Sequence, residues 1–314
     1  MNAIINREII RKDILIDDFN YEFLCSLINK YKNLFISKGA EKGDSVCILI
    51  PMNSIHHIAS YMACLELGLP LFIYSDELWN ISDRHFIDGD DDYIPYMENL
   101  ITQFRDYQQL NNKNRHFIQF TLAERHEQHE QFAYTGVMMD ILEDVSTYID
   151  YNIVEDMSDE YNQPWEVYGH DTALLMTDDV RFDIEVTHGE LENNLDFPTD
   201  EVFGFSMSLH HYGVLQKGIL PALKHSKKLV SLQIPSPSLF GERSRVLFPR
   251  GIKKMKNHNM TAMYTNSRDS MKTLFETMGD DDFLETVRII TPEKREDFHD
   301  YWEAEKNIIF DFSA

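Results

Sequence analysis

Cysteine is sparse in this chain. Cys25, Cys47 and Cys64 are the three among 314 residues, and no two of them form a CxxC. An odd, scattered set excludes a disulfide framework and a zinc ribbon, and it fits a reducing, cytoplasmic setting. Basic residues are also few: Lys+Arg 29 stand against Asp+Glu 53, for a formal net charge of −24. Nucleic acid and anionic lipid are held by clustered Lys and Arg, so this charge excludes both as partners. No unbroken apolar run suits a membrane. The uncharged stretch from Ser45 to Leu65 has Pro51, Asn53, His56 and His57 in its middle, which hydrocarbon penalises. The N-terminal MNAIINREIIRKD places charges too early for a secretory leader. A Walker lysine motif and a dinucleotide glycine fingerprint are missing too. Gly204-Phe205-Ser206-Met207-Ser208 lacks the second glycine of a nucleophile elbow. The acidic runs Asp90–Asp92 and Asp280–Asp282 lack EF-hand spacing, and His126 and His129 have no third metal ligand in view.

What is present is globular, at 43% hydrophobic and 12% aromatic. Alanine is scarce while Asn, Ile, Lys and Asp are plentiful, the bias of an AT-rich coding genome such as those of many phages. Residues 8–17 alternate loosely and predict an edge strand. From Tyr21 to Ser37 the apolar positions Phe23, Leu24, Leu27, Ile28, Tyr31, Leu34 and Phe35 follow helical spacing, and Gly39 ends the run. A turn at Glu41–Asp44 leads to a buried strand from Ser45, a helix after Ser54, Gly68 as its stop, and a second strand from Leu69. Strand, helix, strand is the unit of a parallel sheet. Farther on, Leu122–Gln131 predicts an exposed helix, and Val214–Lys224 a helix with Pro221 awkward in its interior.

Three motifs in this first part keep a familiar order: Gly39-Ala40-Glu41-Lys42-Gly43-Asp44, Pro51-Met52-Asn53-Ser54 and Ala63-Cys64-Leu65-Glu66-Leu67-Gly68. The stretch from Asp171 to Leu195 adds a fourth, ALLMT followed by a charged loop and then VTHGELENN. Together they resemble the adenylate-forming superfamily of acyl-CoA synthetases, luciferases and peptide-synthetase adenylation domains. The resemblance covers about 200 of the 314 residues and implies an α/β fold. That fold is the family's large N-terminal domain, with mixed β-sheets flanked by helices. It predicts a single domain over 1–314, made of two tightly packed subdomains, about 1–169 and 170–314. It also predicts strands at Gly251–Met255, Met260–Tyr264, Val287–Ile290 and Ile308–Phe312, with a helix over Glu293–Lys306. The family's later features have no counterpart within these residues: its Tyr-Gly-x-Thr-Glu motif, ribose-binding Asp, hinge and mobile C-terminal domain with a catalytic lysine.

By the same resemblance, the phosphate loop falls between ALLMT and VTH. There the family carries Thr, Ser, Gly and a Pro-Lys-Gly turn, whereas Asp178-Asp179-Val180-Arg181-Phe182-Asp183-Ile184-Glu185 has no Gly, Ser, Thr or Lys. Backbone amides brought close by glycine, hydroxyls and a lysine are what stabilise a triphosphate under attack. Carboxylates repel it, and Arg181 alone does not offset them. Thr177, Asp178, Asp179, Arg181, Asp183, Thr187 and His188 therefore form a degenerate phosphate loop, with Thr187-His188 opening the next helix. His210, His211, Tyr212 and Gly213 match a family position beside the acyl pocket and mark a possible remnant of it. The resulting expectation is no catalytic residue, no metal and no cofactor: a protein-binding structural or assembly component of a larger complex or virus particle. The rival reading is a protein that still binds a ligand or acyl-adenylate, or an enzyme completed by a partner chain; ATP and Mg²⁺ enter only there.

Overall fold

The computed structural model describes residues 5–49, 55–73, 119–123, 147–163, 165–176, 184–193, 195–196, 202–205, 214–232, 244–265, 268–278, 282–291, 302–303 and 308–311. In chain order the elements begin with strands β1 (Leu15–Ile16) and β2 (Phe19–Asn20), helix α1 (Tyr21–Ser37) and β3 (Ser45–Leu49). Helix α2 (Ile55–Leu67), then β4 (Leu71–Ile73), β5 (Gln119–Ala123), β6 (Thr147–Asp150), β7 (Thr172–Met176) and β8 (Ile184–Thr187) follow. Next come helix α3 (His188–Glu192), β9 (Val202–Phe205), helix α4 (Leu220–His225) and β10 (Lys228–Ser231). The last are helix α5 (Ser244–Asn257), β11 (Ala262–Tyr264), helix α6 (Arg268–Met278), β12 (Arg288–Ile290) and β13 (Ile309–Asp311).

Two compact units divide the chain. One comprises Met1–Arg7, Glu22–Met52 and His56–Glu192; the other Glu8–Tyr21, Asn53–Ile55 and Asn193–Ala314. The first holds a six-stranded sheet in the order β6-β5-β3-β4-β7-β8, parallel throughout except for the β7–β8 pair. Helix α1 buries Leu24, Leu27, Ile28, Tyr31, Leu34 and Phe35, three and four residues apart, while Phe23 at its start is 40% exposed. The helix stops where Gly39 takes a φ of 85°, a left-handed conformation that only glycine adopts without cost. There Gly39 N–H donates to Ile36 O and Ala40 N–H to Phe35 O, satisfying carbonyls the helix leaves open. The predicted strand–helix–strand unit is present, with Val46 beside Leu71 and Cys47 beside Phe72 in parallel register.

The second unit holds a seven-stranded sheet in the order β13-β12-β11-β9-β10-β1-β2, parallel except where β1 turns back to β2. Its core gathers Met255, Met263, Leu274, Phe275, Ile289 and Phe310. The Phe275 ring lies 4.9 Å from Trp302 and 6.0 Å from Phe310, and each such buried aromatic contributes on the order of 2 kcal/mol.

Several expectations are corrected. Residues 8–17 form no edge strand: Arg7–Ile9 is a 3-10 turn, and β1 is flanked by β10 on one side and β2 on the other. Ile184 and Glu185, expected in the loop, belong to strand β8 with Val186 and Thr187: Val186 turns into the core while Glu185 faces water, and the segment pairs back onto β7. Gly251–Met255 is helical, within α5; Ile252 and Met255, three apart, are both buried, and Lys253 between them is exposed. Leu122 and Ala123 belong to β5, and the remainder of the helix predicted over Leu122–Gln131 lies outside the described residues. Val214–Lys224 is divided: a π-helical turn runs over Val214–Ile219 and α4 starts at Leu220. Pro221 thus lies where the π-helical turn passes into α4. Of the helix expected over Glu293–Lys306, Trp302 and Glu303 are described, and both are helical.

Candidate functional site

The segment singled out by its sequence is a hairpin that runs into a helix. Strand β7 presents Leu174 and Leu175 to the core and pairs with β8 in antiparallel register, Leu174 beside Val186 and Leu175 beside Glu185. Thr172 Oγ1 donates to Glu185 Oε2 at 2.9 Å across the pair. Thr177, Asp178, Asp179, Arg181 and Asp183 connect the two strands and lie outside the described residues, as do His210, His211, Tyr212 and Gly213.

Thr187 and His188 are described, and they do different things. Thr187 caps α3: its Oγ1 accepts from Glu190 N–H at 3.3 Å, and Glu190 Oε2 accepts from Thr187 N–H at 2.7 Å and from Thr187 Oγ1 at 2.9 Å. This reciprocal box satisfies donors that a helix start leaves orphaned. These bonds hold the Glu190 carboxyl below its ordinary range. His188 is turned inward and wholly buried, and neither ring nitrogen has a hydrogen-bond partner. Burial pushes its pKa down to about 4, against the pull of Asp171 and with the help of Lys42.

Around this histidine the backbone is tied to the loop that precedes β7. His188 N–H donates to Asp171 O at 3.1 Å, and Gly189 N–H to Gly169 O at 2.9 Å. The Asp171 carboxylate in turn receives Lys42 Nζ at 2.6 Å and Tyr168 N–H at 2.7 Å. Burial works against its charge, but Lys42 and that amide hold the Asp171 carboxyl below its usual pKa. Lys42 Nζ also donates to Glu166 O at 2.6 Å and lies 4.8 Å from the centre of the Tyr168 ring. Lys42 comes from the Gly39–Asp44 motif and Asp171 from the start of the central stretch, so two motifs far apart in sequence meet here. Sequence reasoning assigned no role to Lys42, Asp171 or Glu190. The Thr-x-x-Glu spacing was the one signal present, and it marks the cap. Among the described residues no group of three or more His, Cys, Asp or Glu is placed to hold a metal ion.

Solved structures share the overall fold. A fatty acyl-CoA synthetase of Mycobacterium tuberculosis superposes with a TM-score of 0.62 over 93% of this chain and 53% of its own, at 14% identity. An o-succinylbenzoate-CoA synthetase of Bacillus subtilis gives 0.63 over 96% and 56%, at 15% identity. The fold is that of the acyl-CoA synthetases. The N-terminal domain of FACL13 from Mycobacterium tuberculosis gives 0.60 over 93% of this chain and 67% of its own, at 14% identity. No family profile and no curated protein matches the sequence. The acyl-CoA-synthetase fold is thus carried at low identity, and the chain spans a little over half the length of the first two synthetases. The sequence motifs at residues 39–44, 63–68 and 171–195 therefore identified the correct fold. No helix among the described residues is long and apolar enough to cross a membrane.

Proposed function

We propose that this chain is a non-catalytic protein on the acyl-CoA-synthetase fold whose surface binds other proteins, as a structural or assembly component of a larger complex. The observation that supports it is the connection between β7 and β8. Thr177-Asp178-Asp179-Val180-Arg181-Phe182-Asp183 carries three carboxylates against one guanidinium and has no glycine or lysine. A carboxylate about 4 Å from a phosphate costs roughly 4 kcal/mol at an effective dielectric near 20. Three of them outweigh Arg181. Without glycine, the main chain also loses the close approach that lets amides cradle phosphate. The net charge of −24 points to partners that present basic surface.

The test is isothermal titration of the purified chain, first with ATP·Mg²⁺ and then with a non-hydrolysable acyl-adenylate mimic. Silence with both up to millimolar ligand is the expected result. Binding of the mimic at micromolar concentration overturns the reading.

A further inference from the structure

The joint between β8 and α3 contains a group that acid can charge. His188 is fully buried, and both of its ring nitrogens lack a hydrogen-bond partner. A neutral imidazole has one donor and one acceptor to satisfy, and an imidazolium has two donors and a full charge. Among the described residues, the groups that act on it are few. From the loop ahead of β7, Asp171 attracts the ring, but its carboxylate is already engaged by Lys42 Nζ and Tyr168 N–H. Lys42, from the turn ahead of β3, repels it. On its own helix, Glu190 is committed to the Thr187 cap, and on β8 Glu185 is bonded to Thr172.

We propose that His188 is an acid-sensitive latch: protonation of its imidazole opens the joint and frees Thr187–Glu192 from the loop that precedes β7. A charged ring here has two ways to be satisfied. It takes Asp171 from Lys42, or it leaves the core for water. Either route strains the bonds from His188 N–H to Asp171 O and from Gly189 N–H to Gly169 O, and the Thr187 cap one residue away. In the closed state, burial pushes the His188 pKa to about 4; a solvated histidine titrates near 6.5. The open form therefore binds the proton more tightly, and falling pH favours it, by about 30-fold at pH 5 relative to pH 8.

Amide hydrogen exchange on the full chain tests this, read by mass spectrometry at pH 7.5 and pH 5.0 and corrected for intrinsic rates. In the native protein, peptides covering 184–192 are expected to exchange about 30-fold faster at the lower pH, ahead of the rest of their unit. His188→Gln, which stays neutral, should abolish that gain. No acceleration, equal acceleration in His188→Gln, or acceleration of the whole unit in step each overturns the latch. Should the variant fail to fold, the Cε1–H resonance of His188 is titrated in the native protein: a pKa below 5 supports the latch, and one near 6.5 overturns it. Calorimetric silence or binding in the nucleotide titration leaves this outcome untouched.

Discussion

Glu66 holds Arg7 with both carboxylate oxygens. Arg7 Nε donates to Oε1 at 2.7 Å and an Arg7 terminal nitrogen to Oε2 at 2.6 Å, while Lys32 Nζ reaches the same Oε2 at 2.9 Å. The side chains of Glu66 and Lys32 are 8% and 7% exposed, and the Lys32 ammonium also lies 3.6 Å from the centre of the Tyr161 ring. Burial alone would raise the Glu66 pKa, but Arg7 and Lys32 outweigh it and hold the carboxyl below its ordinary range. One carboxylate thus joins the N-terminal segment, α1 and α2.

Removing that carboxylate leaves two cations in a largely desolvated place. Glu66→Ala is expected to cost about 3–5 kcal/mol of unfolding free energy, measured by urea denaturation. Arg7→Lys keeps the charge but loses the two-pronged geometry, and it is expected to cost less than Glu66→Ala.

The cap on α3 gives a smaller effect. Thr187→Ala removes the acceptor for Glu190 N–H and a donor to the Glu190 carboxylate, and should cost about 1 kcal/mol. In a double-mutant cycle with Glu190→Ala, a coupling of at least 0.5 kcal/mol is expected; zero coupling would show that the box is not an energetic unit.

Stability should fall with acid through His188. Its folded pKa of about 4 lies below the ordinary 6.5, so the unfolded chain takes up the proton first as pH drops. The contribution is fully present above pH 6.5 and is lost on the way down to pH 4, to a maximum of about 3 kcal/mol. Urea midpoints measured from pH 8 to pH 4 should show this slope in the native protein and a flatter one in His188→Gln.

A methyl group has no room at Gly204. A Cβ there would fall on Met260 Sδ, well inside contact distance, and 3.3 Å from Leu232 Cδ1. Gly204→Ala is expected to destabilise the second unit by about 1–3 kcal/mol. Met260→Ala in the same chain should return part of that loss, which thermal unfolding of the single and double variants can read.

The parts of the fold that were legible are those in which one local pattern agrees with burial. Helix α1 announces itself through Leu24, Leu27, Ile28, Tyr31 and Leu34, and β3–α2–β4 through two apolar runs separated by a helix with glycine at its end. Strand β8 was illegible because four residues are too few to establish an alternation, and its pairing with β7 is made in tertiary structure. Helix α5 was hidden for a different reason: Gly251–Met255 matches a strand of the family in sequence, while the burial that stabilises the helix involves Ile252 and Met255. At the site, the Thr187 cap was present in the spacing Thr-x-x-Glu. The isolation of His188 was not, because a ring without partners is defined by what packs around it. The same holds for Lys42 and Asp171, which are separated in the chain and paired only after folding.

The place of β1 in the second sheet has a consequence for biosynthesis. Asp17, directly after β1, takes Ser231 Oγ at 2.6 Å and Lys254 Nζ at 2.8 Å, and its partner Ser231 is 214 positions away in the chain. A ribosome adding about 5–20 residues per second needs roughly 10–40 s to pass from one partner to the other. For most of that interval Leu15 and Ile16 are outside the exit tunnel without β10, their second partner strand. The nascent β1–β2 pair then presents one unpaired strand edge, the kind of segment that chaperones bind and that seeds aggregation when synthesis stalls.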